Sequence, residues 1–135
     1  MTVISFNFTK INAEKSKGIK GKLNISNNVS IKAVNSFDLK LGKNKEKALR
    51  FDFKFESVYD PKIGNIEILG EIVYLGKEDK LKEAEKQWKK DKKIPKDIVE
   101  SIMSNILSNC NIEALLMSKE IGLPPPIPLP KVKSD

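Results

Sequence analysis

The chain has 135 residues, of which 39% are hydrophobic and 32% charged, with a formal net charge of +7. That composition fits one independently folding domain with a lean core and a well-solvated surface, and no apolar run approaches the ~20 residues a membrane helix needs. There is no histidine and one cysteine, Cys110, which removes histidine-based triads, histidine metal sites and an internal disulfide.

The first segment, from Val3 to Ala13, places Ile4, Phe6 and Phe8 on one parity and Ser5, Asn7 and Thr9 on the other. This alternation predicts a half-buried strand. It also lacks the basic start of a secretory leader, so the chain is read as cytoplasmic. Gly18 and Gly21 punctuate the turn that follows, and Gly18-Ile-Lys-Gly21 matches no phosphate-binding loop. A long strand is expected over 20–34, bent near Asn27-Asn28, with a looser extension to Leu41. Leu23, Ile25, Val29, Ile31, Ala33, Phe37 and Leu39 share its apolar parity. Gly42 to Lys47 reads as a charged surface loop, and the order of 35–47 is left open.

Leu49, Phe51, Phe53 and Phe55 alternate with Arg50, Asp52, Lys54 and Glu56, the clearest strand pattern in the chain. Tyr59 to Asn65 carries turn residues. Ile66, Ile68, Ile72 and Tyr74 then form one apolar row, while Leu69, Val73 and Leu75 share the other parity with Glu67 and Glu71. A strand apolar on both faces lies centrally in its sheet or meets another subunit. From Lys77 to Lys92, Leu81, Ala84 and Trp88 make a narrow stripe on a highly charged helix. Ile94-Pro95 ends it. Pro95, Asp97 and Glu100 suit the start of a new helix. Val99, Ile102, Met103, Ile106, Leu107, Cys110, Ala114, Met117 and Ile121 recur at helical spacing over about 96–121, and Ile98, Ile112, Leu115 and Leu116 widen the arc. Gly122 suits the C-terminal cap. Leu123-Pro-Pro-Pro-Ile-Pro-Leu-Pro130 is then extended or polyproline II. The organisation expected is a domain over 1–122 and a proline-rich strap over 123–135.

Charge is unevenly spread. Residues 1–60 hold twelve basic and six acidic residues, 77–96 nine lysines and five acids, and 97–122 four acids and one lysine. A basic field favours RNA, a ribosome surface or an acidic protein. The plainer reading is a lysine-rich solvated surface. Cys110 falls on a helix stripe and reads as a small buried hydrophobe. Glu67 and Glu71 share a strand face without a base or metal partner. The chain is therefore expected to be no enzyme and to need no cofactor.

The order of four strands, crossover and long helix, with Pro95 before Glu100-Ser101-Ile102 and Met103 to Ser108, resembles the SecB-like chaperone family. So does Leu123-Pro124 through Leu129-Pro130 after the helix. The resemblance implies an α+β fold, with a four-stranded antiparallel, Greek-key-like sheet carrying a crossover helix and one long packed helix. It implies a homo-oligomer, dimer or tetramer, that holds nonnative polypeptides in apolar grooves without ATP and passes them to an export machinery. Some relatives instead serve toxin–antitoxin pairs. Two features depart from the family. Export chaperones present an acidic sheet surface, whereas these strands are basic. The helix that usually follows the proline stretch has no counterpart in Lys131 to Asp135.

The polypeptide-binding residues expected on this basis are Trp88, Ile94, Leu123, Ile127 and Leu129. The alternative is that they simply cover the sheet or the long helix. Pro125-x-x-Pro128 with Lys131 also suits a polyproline-reading domain. The runner-up function is a basic RNA- or ribosome-associated protein contacting its partner through Lys82, Lys86, Lys89, Lys90, Lys92 and Lys93. The Phe51, Phe53, Phe55 row could stack bases only if exposed, and opposite a long amphipathic helix it reads as core. Unfolded or nascent polypeptides are the partners expected, without membrane insertion.

Overall fold

The structure is a computed structural model and describes residues 2–16 and 23–127. Strands β1 (Thr2–Lys15), β2 (Asn24–Leu41), β3 (Asn44–Asp60) and β4 (Gly64–Leu75) precede helices α1 (Glu78–Asp91) and α2 (Lys96–Ile121). The strands form one sheet in the order β1-β4-β3-β2, with every neighbouring pair antiparallel. β2, β3 and β4 follow one another in space, and β1 returns beside β4, which is the Greek-key arrangement. The α+β fold expected from the element order is the fold observed. Gly18, Gly21 and the first residues of the predicted second strand lie outside the described residues.

Three sequence expectations change. Gly42 to Lys47 is not a loop: Leu41 pairs with Asn44, leaving a two-residue turn in which Gly42 has φ 65°, a left-handed value that glycine adopts without a steric penalty. The irregularity in β2 lies between Ile31 and Ala33, not at Asn27. A bulge reverses side-chain parity beyond it. Val34 therefore enters the core at 4% exposure, while Ala33, Phe37 and Leu39, opposite Asp52, Ala48 and Glu46, turn to the other face. β1 carries two such shifts, at Val3/Ser5 and Phe8/Lys10. Phe6 and Phe8 stand opposite Ile72 and Gly70, whereas Ile11 and Ala13 take over the same face opposite Ile68 and Ile66.

Both helices pack on the face that carries Phe51, Phe53, Phe55, Ile66, Ile68 and Ile72, all at most 1% exposed. The phenylalanine row is therefore core and is unavailable for stacking bases. At its centre the Phe53 ring covers Gly70, where an added Cβ would lie 2.5 Å from Phe53 Cζ. Glycine is what allows the central strand to accept that ring. β4 lies between β1 and β3, which accounts for its two apolar faces. The far face carries Lys10, Arg50 and Lys54 among Asp52, Glu56, Glu67 and Glu71, linked in pairs 3.4–4.0 Å apart. Three bases and four acids there nearly cancel, so the strands' positive charge is not displayed at the centre of that face.

α2 buries Ile98, Ile102, Ile106, Cys110, Ala114 and Ser118, a line of residues spaced by four. It packs on β1, β4 and β3, while α1 packs on β2 and β3. α1 buries only Leu81 and Ala84, and a polar tie supplements them: the Ser36 backbone N–H donates to Glu85 Oε2 at 2.7 Å. Hydrogen bonding from Ser36, aided by Lys89 and Lys47, holds the Glu85 carboxyl below its ordinary value of 4.5. A carboxyl lowered on folding stabilises the fold above its ordinary value, and loses that contribution as pH falls through the lower folded one. Glu85→Gln is expected to cost roughly 1 kcal/mol at about pH 7 and less at about pH 3. Urea unfolding at the two pH values checks this.

Candidate functional site

α1 ends at Lys92, whose left-handed φ of 61° stops the helix with its backbone N–H on the Trp88 carbonyl. Pro95 then caps α2, and its carbonyl accepts from the Ile98 and Val99 N–H groups. The short crossover sets the end of α1 beside the start of α2 over strand β2. Between them opens a cavity of about 460 Å³ with Val29 and Ile31 on its floor and Trp88, Ile94, Val99 and Met103 as walls. These six side chains are half-buried. Lys92 Nζ stands 5.2 Å from the Trp88 ring centroid, a cation–π contact at the rim.

Two of the expected binding residues, Trp88 and Ile94, are thus brought together. Leu123 is not with them. It is 5% exposed within the core and borders a second apolar cavity of about 550 Å³ beside Ile112, Leu115 and Leu116 of α2. Ile127 is half-buried, and Leu129 lies outside the described residues.

The strap begins with a Schellman turn. Gly122 has φ 73° and its N–H reaches the Lys119 carbonyl, while the Leu123 N–H reaches that of Ser118 at 2.8 Å. Beyond it the chain is fixed through its carbonyls. The buried Tyr59 hydroxyl donates to the Pro124 oxygen at 2.6 Å, and Asn27 Nδ2 donates to the Pro126 oxygen at 2.8 Å. Ser57 Oγ donates to Asn27 Oδ1 at 2.6 Å and so orients that amide. Sequence reasoning treated Asn27 as an interruption and did not single out Ser57 or Tyr59. The signal available was a polar residue at core parity. In the fold Asn27 stands opposite Ser57, and the two make a polar island on an apolar face.

Burial pushes the Tyr59 hydroxyl up to about 12. A phenol raised on folding contributes stability that is complete below its ordinary value of 10 and is lost as pH rises through the folded one. Ultraviolet titration is expected to show a phenolate step near 12 that is absent in Tyr59→Phe. Cys110 is fully buried, and burial and then Glu113 push its thiol up to about 12, which denies it thiolate chemistry at neutral pH.

The α1 lysines are interleaved with acids. Lys82 pairs with Glu78 at 3.3 Å and Lys89 with Glu85 at 3.9 Å. Lys86 and Lys90 border a shallow depression with Glu83 and Asp91. The Lys93 backbone N–H donates to Asp91 Oδ1, and Lys92 stands at the Trp88 groove. Among the described residues no helix is long and apolar enough to cross a membrane.

An edge-completed Greek-key sheet with a crossover helix and a long helix on one face defines a SecB-like fold. Among solved structures, the chain is similar to the SecB-like chaperone Rv1957 of Mycobacterium tuberculosis in complex with a ChAD peptide from the Rv1956 HigA1 antitoxin. The TM-score is 0.58 at 10% identity, and the match covers 99% of this chain and 91% of that one. No family model and no curated protein matches the sequence.

Proposed function

We propose that this protein is an ATP-independent holdase that binds extended, nonnative polypeptide in the groove between Trp88 and Ile94. The groove carries the reading: half-buried apolar side chains with open access, floored by an edge strand. Such a surface takes extended apolar segments through side-chain pockets. The fold neighbour, itself a SecB-like chaperone bound to a peptide, supports a polypeptide partner.

The protein works in this reading as a cytoplasmic homo-oligomer linked to protein export. Leu107, Ile112 and Leu116 on α2 are 41%, 61% and 50% exposed, and they supply the apolar surface for self-association. The interleaved charges of α1 favour a polypeptide over RNA as the partner.

The test is light scattering of a chemically denatured client diluted into the protein at low and high salt. Suppressed aggregation that persists in high salt supports the holdase. Absence of protection, with co-purifying nucleic acid whose binding collapses in salt, overturns it in favour of an RNA-associated role.

A further inference from the structure

The strap is itself an extended apolar segment held by the sheet, and the way it is held describes a ligand. Along the helix-facing side of the β2–β3 pair, successive cross-strand rows are Ile25/Tyr59, Asn27/Ser57, Val29/Phe55 and Ile31/Phe53. Donors in the first two rows hold the strap. Val29 and Ile31 of the last two floor the Trp88 groove. Strap and groove therefore occupy adjoining lengths of one surface.

The first two rows carry polar groups that require an acceptor. The Tyr59 hydroxyl belongs to a fully buried residue and Ser57 is 0% exposed. An unpaired donor of that kind is costly. Tyr59 finds its acceptor in the Pro124 carbonyl, whereas Ser57 donates to Asn27 Oδ1 and so turns the Asn27 amide N–H toward the Pro126 carbonyl. Proline has no N–H to offer, so the backbone there is readable only as an acceptor. Two donors aimed at carbonyls two residues apart read main chain, and they suit a proline segment, which offers acceptors alone.

We infer that the surface formed by Ile25, Asn27, Ser57 and Tyr59 is a binding subsite for extended, proline-containing apolar polypeptide, and that Leu123 to Ile127 fills it in cis. This deepens the polypeptide-binding reading. The strap is a tethered ligand at high effective concentration. Its departure lengthens the client surface from two cross-strand rows to four.

The experiment uses the full chain and a fluorescein-labelled peptide of sequence Leu-Pro-Pro-Pro-Ile-Pro, read by anisotropy. Leu123→Ala removes the strap's buried anchor and leaves Tyr59 and Asn27 in place. It is expected to bind the peptide at least ~10-fold more tightly than the parent chain, since the tethered competitor is weakened. Tyr59→Phe in that background is expected to reverse about fivefold of the gain, as one hydrogen bond is lost. Pro125→Gly acts at an exposed strap residue, leaves the core untouched and is expected to give a gain of roughly twofold to fivefold by loosening the free strap. It carries the test if circular dichroism shows Leu123→Ala unfolded. No gain in either folded variant, or a gain indifferent to Tyr59→Phe, overturns the subsite. Because the peptide spans only the strap rows, Trp88→Ala is expected to leave its binding unchanged. A failed aggregation assay with the peptide gain intact removes the groove reading alone; intact protection without the gain removes the subsite alone.

Discussion

Phe53→Ala is expected to bring the domain close to global unfolding, with a loss of about 3–5 kcal/mol in urea denaturation. A small domain has roughly 5–15 kcal/mol in total. Phe53 is 1% exposed at the middle of β3, its ring centroid lies 5.2 Å from that of Phe6 on β1, and it covers Gly70 of β4. One side chain thus joins three strands, and Gly70 has no side chain with which to fill the space left behind. Phe37→Ala is the matched control. It removes the same atoms from a half-buried position on the opposite face, and is expected to cost about 1 kcal/mol. Equal losses at the two positions would contradict the bulge in β2, which is what separates their fates.

Trp88→Ala is expected to weaken binding of an extended apolar client by at least ~30-fold, about 2 kcal/mol, as for an aromatic anchor in a central pocket. Trp88 supplies the largest wall of the groove and carries the Lys92 contact. It is half-buried and lies in the last turn of α1, four residues past the buried Ala84. The fold itself is therefore expected to lose less than the client does. Lys92→Met removes the charge but keeps most of the stem, and is expected to change affinity by less than about fivefold, since an exposed cation–π contact is worth under ~1 kcal/mol. Calorimetric titration with a soluble unfolded polypeptide measures both. Retention of affinity in Trp88→Ala would move the client site away from this groove.

The regular parts of the fold were legible because their periods are unbroken. Leu49 to Phe55 alternates without a slip through β3, and α2 keeps its apolar line from Ile98 to Ala114. β1 and β2 misled where a single inserted residue reversed the phase. Phe37 and Leu39 matched the parity of Ile31, yet the shift between Ile31 and Ala33 put Val34 inside instead. The site divides in the same way. Trp88 and Ile94 could be paired because they are neighbours along the chain. Tyr59 and Asn27 could not be assigned to the strap, because their acceptors are 65 and 99 residues away. Only the folded sheet brings those acceptors within reach. Glu85 was hidden for a like reason: its partner Ser36 lies 49 residues upstream.

The bulges have a consequence for what the sheet does with other chains. β1 and β2 are its two edges, and an unbroken edge is a template on which foreign strands can stack. Here both edges are interrupted, β1 twice and β2 once, and the β2 interruption displays the exposed Lys32. A foreign strand extending along the full length of either edge would meet a break in register. Interrupted edges of this kind are poorer templates for strand stacking than unbroken ones, so the rim of the sheet is blunted where its centre is apolar.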